Sequence, residues 1–185
     1  MKYLSAALMV FVLATPFAAS ANERLFLQIP AILDPSAPIP SAVKNECGLE
    51  MLLGNYALSA IDQRIGSVQS VSAPEQAGIN KIVQLTIISV HGAGGGAWSG
   101  SKSMSIRADI RKGGTIVDST VLSRSSRGGA FGGFKGTCEI LDRVVKVLGK
   151  DVAVWLSREL AAQPTQSSLE SEVEESSDEP ESATE

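Results

Sequence analysis

Residues Ser103 to Arg111 alternate apolar and polar side chains without a break, and no other feature limits the fold so much. Met104, Ile106, Ala108 and Ile110 fall on one face; Ser103, Ser105, Arg107, Asp109 and Arg111 fall on the other. A period of two over this length is that of a strand with one face on a core and the other toward water. Lys112-Gly113-Gly114 supplies a hairpin turn, so Thr115 to Arg124 returns beside it. Upstream, Lys81 to Val90 is a near-continuous run rich in Ile and Val, which predicts a strand covered on both faces in the middle of a sheet. Arg24 to Leu33 reads as a first strand, with Leu25, Leu27 and Ile29 on one face, Phe26 and Gln28 on the other, and Pro30 ending it. Residues 67–80 read as a loop with one short strand at 67–71.

Helical periods fill the remainder. Pro35, Pro38 and Pro40 make 34–40 an extended connector. Ser41 suits the N-cap of a helix starting at Ala42. In it Val43, Cys47, Met51, Gly54, Leu58 and Ile61 recur at three- and four-residue steps, and Gly66 closes the segment. A later helix carries Cys138, Leu141, Val145 and Leu148 on one stripe, with Glu139/Arg143 and Asp142/Lys146 in the favourable order. Gly149 is its expected stop, and Asp151 the expected cap of a last short helix burying Val152, Trp155, Leu156 and Leu160. The order β-α-(β)-β-β-β-α-α predicts an α+β two-layer sandwich, a mainly antiparallel sheet with helices on one face.

The two ends of the chain have a different character. Lys2, the apolar run Leu4 to Ala14, Pro16 and the small residues Ala19-Ser20-Ala21 have the form of a secretory signal peptide over 1–21, cleaved after Ala21. The mature chain is therefore expected in the periplasm or secreted. No later run reaches the roughly 18 apolar residues of a membrane span, and the first cysteine, Cys47, is far from the cleavage site, so no lipid anchor is expected there. Residues 163–185 hold eight acidic residues and no Lys or Arg, with Leu169, Val173 and Ala183 as their only apolar side chains. Such a segment cannot offset its ordering entropy and reads as a disordered acidic tail. The single α+β domain is then 22–162. With Lys2 and the tail acids set aside, 15 basic residues face 12 acidic ones, a net charge of about +3, so the acidic balance of the whole chain belongs to its tail. Nothing here points to nucleic acid.

Two cysteines in an exported chain pair most simply as one disulfide, Cys47–Cys138, joining core-facing stripes of two helices; two buried free thiols are the alternative. With one histidine besides, they make no zinc site, and no cofactor is expected.

Two glycine-rich stretches invite chemical readings. In 91–103 a phosphate loop fails, because Ser101 stands where Lys is required. A nucleophile elbow fails because Ser99 lacks flanking glycines. His91 would have to serve as a hydrolase base from inside the loop that supplies its own oxyanion donors. No catalytic residue is assigned. The plainer reading is a hairpin connection with Trp98 folding back over the sheet edge. The second stretch, 124–137, lacks the dinucleotide register but leads into a helix N-terminus with Arg124, Arg127 and Lys135. Backbone N–H groups, the helix dipole and three cations can hold an anion there; alternatively the glycines only permit a tight passage and the cations are solvated. Arg124, Arg127, Lys135 and Trp98 are the candidate ligand-binding residues.

Lys81-Ile82-Val83-Gln84-Leu85, then 94–104, Ile106-Arg107-Ala108, 124–136, Leu148-Gly149-Lys150-Asp151 and Trp155-Leu156 together resemble small uncharacterised bacterial envelope proteins. Some of these are lipoproteins, and their β-α-β-β-β-α layout is similar to the anticodon-binding-domain fold. The resemblance covers roughly 24–160 and implies a fold and a compartment, with no activity to carry over. The expectation is an exported, non-enzymatic accessory domain with an envelope protein partner. A small anionic-ligand binder or hydrolase using 91–103 and 124–137 is the alternative.

Overall fold

The computed structural model describes residues 24–92, 101–127 and 136–175, with side chains through Ala162. It is α+β, with one mixed sheet and helices packed on it, as the pattern predicts. The strands are β1 (Leu25–Gln28), β2 (Ile32–Leu33), β3 (Val68–Val71), β4 (Lys81–His91), β5 (Lys102–Lys112) and β6 (Thr115–Ser126). The helices are α1 (Ser41–Glu46), α2 (Leu49–Ile65) and α3 (Thr137–Glu175), and a 3-10 turn spans Pro74–Ala77. The sheet order is β3-β1-β4-β5-β6, with β2 also beside β4. Strands β4, β5 and β6 are antiparallel neighbours, whereas β1 pairs parallel with both β3 and β4. The two-residue turn Gly113-Gly114 has φ of 55° and 84°, which is what a tight hairpin with right-twisted strands requires.

The core lies between the sheet and the helices. Leu27, Leu85, Ile87, Met104, Ile106 and Ile110 from the sheet meet Leu53, Ile61, Leu141, Leu148 and Leu156 from the helices, all fully buried. Burial of such a side chain is worth about 1.5–3 kcal/mol. Strand β4 is covered on both faces, because Phe26, Ala77 and Ile82 form a second small cluster on the side away from the helices. On that side Gln84 donates to Gln28 at 2.6 Å. Asp109, expected to be solvated, is only 3 % exposed. It accepts from the Ser119 hydroxyl at 2.5 Å and from Arg107 Nε at 3.3 Å, so its charge is compensated where it is buried.

Four local expectations are corrected. The predicted first strand is two, since Pro30 interrupts it, yet both pieces pair with β4. The predicted helix from Ala42 divides at Cys47-Gly48, where Gly48 is left-handed at φ 55° and Cys47 becomes the C-cap of α1. Pro40, not Ser41, stands at the N-cap. Gly149 does not stop the last helix, and Asp151 does not start another. A Cβ on Gly149 would lie 2.8 Å from Ala57 N and 2.8 Å from Tyr56 C, so its missing side chain lets the α2 backbone pass close against α3. Asp151 instead accepts from Arg124 of β6 at 2.6 and 2.9 Å. Nearby, the Tyr56 hydroxyl donates to Asp142 at 2.9 Å, which raises the Tyr56 phenol above its ordinary value.

The predicted signal segment 1–21 and residues 176–185 lie outside the described residues, and α3 carries the backbone of the acidic stretch as far as Glu175. No helix among the described residues is long and apolar enough to cross a membrane.

Near the β6 end of α3, partial burial, the charge of Asp118 and a hydrogen bond to it all raise the Glu159 carboxyl above the ordinary carboxylate value. A carboxyl that binds its proton more tightly when folded adds stability as pH falls through the raised folded value, and costs stability at neutral pH. Glu159→Gln is therefore expected to raise the melting temperature at pH 7. Melts repeated near pH 4 check this: the gain should shrink there, where the native carboxyl is already protonated.

Candidate functional site

Strand ends decide where the two glycine-rich connections lie. Residues His91, Ser103 and Ser125 are register partners across β4, β5 and β6, so the ends of both connections sit at the same end of the sheet. The α3 N-terminus and the disulfide sit there too. Cys47 and Cys138 are joined, with Cα atoms 5.1 Å apart, tying the end of α1 to the first turn of α3. Val90 N donates to Pro38 O at 3.3 Å, which lays the proline connector against β4.

Two adjoining hollows open at this end. One, about 570 Å³, is lined by Pro38, Ile39, Pro40, Val90, His91, Gly92 and Ser101. The other, about 350 Å³, is lined by Pro40, Ala42, Val43, Glu46, Cys47, Gly92, Gly136, Thr137 and Cys138. They share Pro40 and Gly92. A Cβ on Gly92 would sit 3.2 Å from Thr137 Cγ2, so the chain passes close over the start of α3. Among the described residues the lining is mostly apolar and backbone, with Glu46 as its one acidic side chain and His91 on the larger hollow.

The four candidate ligand residues fare differently. Arg124 points to the helix layer and is held by Asp151 in a two-pronged pair, about half exposed. Arg127 is exposed just past the end of β6. Trp98 and Lys135 lie outside the described residues. Sequence reasoning found the proline connector but did not place it at this end of the sheet, and it did not find the Gly92 crossing. It also missed that His91 and Ser103 are direct cross-strand neighbours, because the register follows from the β4–β5 pairing and not from spacing. The first carboxylate along β5 on the face of Ser103 is Asp109, three same-face positions away, on the order of 20 Å. Asp109 is committed to Ser119 and Arg107, so it does not orient His91 as a triad carboxylate would. Among the described residues no group of three or more His, Cys, Asp or Glu is placed to hold a metal.

No protein-family model and no curated protein matches this chain. Solved structures with a similar outline include a PelC dodecamer from Paraburkholderia phytofirmans, at 10% identity and TM-score 0.43, covering 69% of this chain and 86% of that one. A Xanthomonas campestris protein of family DUF330 is similar at 9% identity and TM-score 0.47, covering 76% and 88%. A minor lipoprotein from Acinetobacter baumannii is similar at 14% identity and TM-score 0.39, covering 74% and 94%. At these values none of them carries an argument about what this chain does.

Proposed function

We propose that this chain is an exported, non-enzymatic interaction domain of the bacterial envelope, which docks a protein partner at the loop end of its sheet. The observation that carries the reading is convergence. The described ends of both glycine-rich connections, the proline connector and the α3 N-terminus meet around two adjoining, mostly apolar hollows, and the disulfide lies in the wall of the smaller one. Concave apolar surface with a few backbone donors is the general form of a binding site, and loops held by a rigid scaffold are where such sites concentrate. Export to an oxidising compartment is the premise, supported by the 1–21 signal pattern and the joined cysteines. The resemblance to small envelope proteins with an anticodon-binding-domain-like layout supports the same compartment. The acidic segment 163–185, as a tether outside the domain, belongs to this proposal as well.

A photo-activated side chain at Ser101, exposed at the loop end, tests the site in living cells. It is expected to give an adduct of one defined protein mass. The same probe at Ile79, 83% exposed and before the far end of β4, is the control and should not. Equal adducts from both positions, or none from Ser101, would refute the loop end as the docking site. The second reading, a small-anion site, rests on Arg127 standing at the same end as the α3 N-terminus. It requires an anion to raise the melting temperature in wild type and not in Arg127→Ala.

A further inference from the structure

We propose that the outer edge of β6 is a self-association surface, where two copies of this chain pair strand to strand about a two-fold axis at Val121. β6 is 12 residues long and ends the sheet order; among the described residues no strand pairs with its outer side. The opposite edge strand, β3, has only 4 residues. Long open edges are normally blunted by Lys, Pro or a covering segment, because unpaired N–H and C=O groups recruit another strand. The β6 edge carries neither Lys nor Pro.

The register is self-complementary. A bulge leaves Val117 unpaired, since Ile110 faces Asp118 while Arg111 faces Ile116, and the ladder with β5 runs regularly from Asp118 onward. Asp118 and Arg124 both reach the helix layer, toward Glu159 and Asp151, so even-numbered residues face the helices. Antiparallel pairing that keeps both helix layers on one side must match even numbers with even and odd with odd. Centred on Val121, such a pairing sets Asp118 opposite Arg124 of the second copy, twice over. It also sets Ser119 opposite Ser123 and Val121 opposite itself. A shift of two residues either way faces Asp118 with Leu122 or Ser126 and loses both charge pairs. Asp118 already shares its place with Glu159, so the guanidinium of the second copy, while still held by its own Asp151, brings positive charge to two neighbouring acids.

Exposed apolar surface gathers at the same edge. Seven large apolar side chains are exposed among the described residues, and four of them, Ile116, Val117, Val121 and Val147, adjoin β6. Val147 lies one helical turn before Asp151, the residue gripped by Arg124, which puts it on the β6 side of α3. A second copy on this edge covers this apolar group on both faces of the joined sheet.

Sedimentation of the mature chain across a concentration series tests the proposal with a charge-reversal pair. Wild type is expected to dimerise. V121K and V121D should each weaken the dimer at least about tenfold, because like charges then meet on the axis. An equimolar mixture of the two should restore association. Val121 is 61% exposed, so both variants are expected to keep the wild-type circular dichroism melt. Should either variant melt early, amide exchange of wild-type residues 118–124 gives the same answer, slowing as concentration rises. A monomeric wild type, a dimer indifferent to V121K, a mixture no tighter than its parts, or concentration-independent exchange would each overturn it.

Discussion

Replacing Cys47 and Cys138 together by serine is expected to remove about 4–5 kcal/mol of stability in the chain-entropy model. The bond spans 91 positions, most of the domain, so the denatured chain loses much of its freedom when it is closed. It also joins two elements that no strand ladder connects, the end of α1 and the start of α3. Both lie in the wall of the smaller hollow, so its shape depends on the bond as well. Urea unfolding of the oxidised chain and the double variant checks the size of the effect. The midpoint should fall, and the slope should rise as the unlinked denatured state exposes more surface. A loss under about 1 kcal/mol would mean that the packing of Val43, Leu49 and Leu141 holds this end without the bond.

Gly149→Ala is expected to destabilise, against the usual sign for a glycine inside a helix. In a solvated helix the exchange gains about 1 kcal/mol. Here the new Cβ would lie 2.8 Å from two backbone atoms of α2, which cannot rotate away, so the helices must separate. Overpacking of this kind costs roughly 1–3 kcal/mol, so a net loss of at least about 1 kcal/mol is expected, and more for Gly149→Val. Gly54→Ala is the natural comparison. Its Cβ would meet Ile29 Cγ2 at 2.9 Å, a side chain that can shift, so a smaller loss is expected there. Thermal or urea melts of both variants decide the order. A stabilised Gly149→Ala would show that α2 and α3 are not in contact at that point.

These two positions also show how far the residues could be read in advance. The alternation at 103–111, the Gly113-Gly114 hairpin and the apolar run at 81–90 are local patterns, and each became the element it predicts. The disulfide followed from number and from the expected export, because two cysteines in an oxidising place would leave little choice. Gly149 and Asp151 misled because both carry strong local meanings, a stop and a cap, that packing overrode. Only the opposing Tyr56-Ala57 backbone and the Arg124 guanidinium explain them, and neither is near in sequence. Parallel pairing of β1 with β3 and β4 is likewise non-local, with α1 and α2 lying between. At the site, the glycine-rich connections were visible as composition, but that their described ends lie at one end of the sheet was not. That depends on the β4–β5–β6 register, which places His91, Ser103 and Ser125 in one row.

Export is the premise of the proposed compartment and of the proposed partner, and it would keep the Cys47–Cys138 bond oxidised. The intact mass of the protein recovered from the extracytoplasmic fraction of its own cells, with and without thiol alkylation, tests this directly. The predicted species begins at Asn22 and takes up no alkylating agent until it is reduced, when it takes up two. A full-length species in the cytoplasmic fraction, or one whose two thiols react at once, would contradict it.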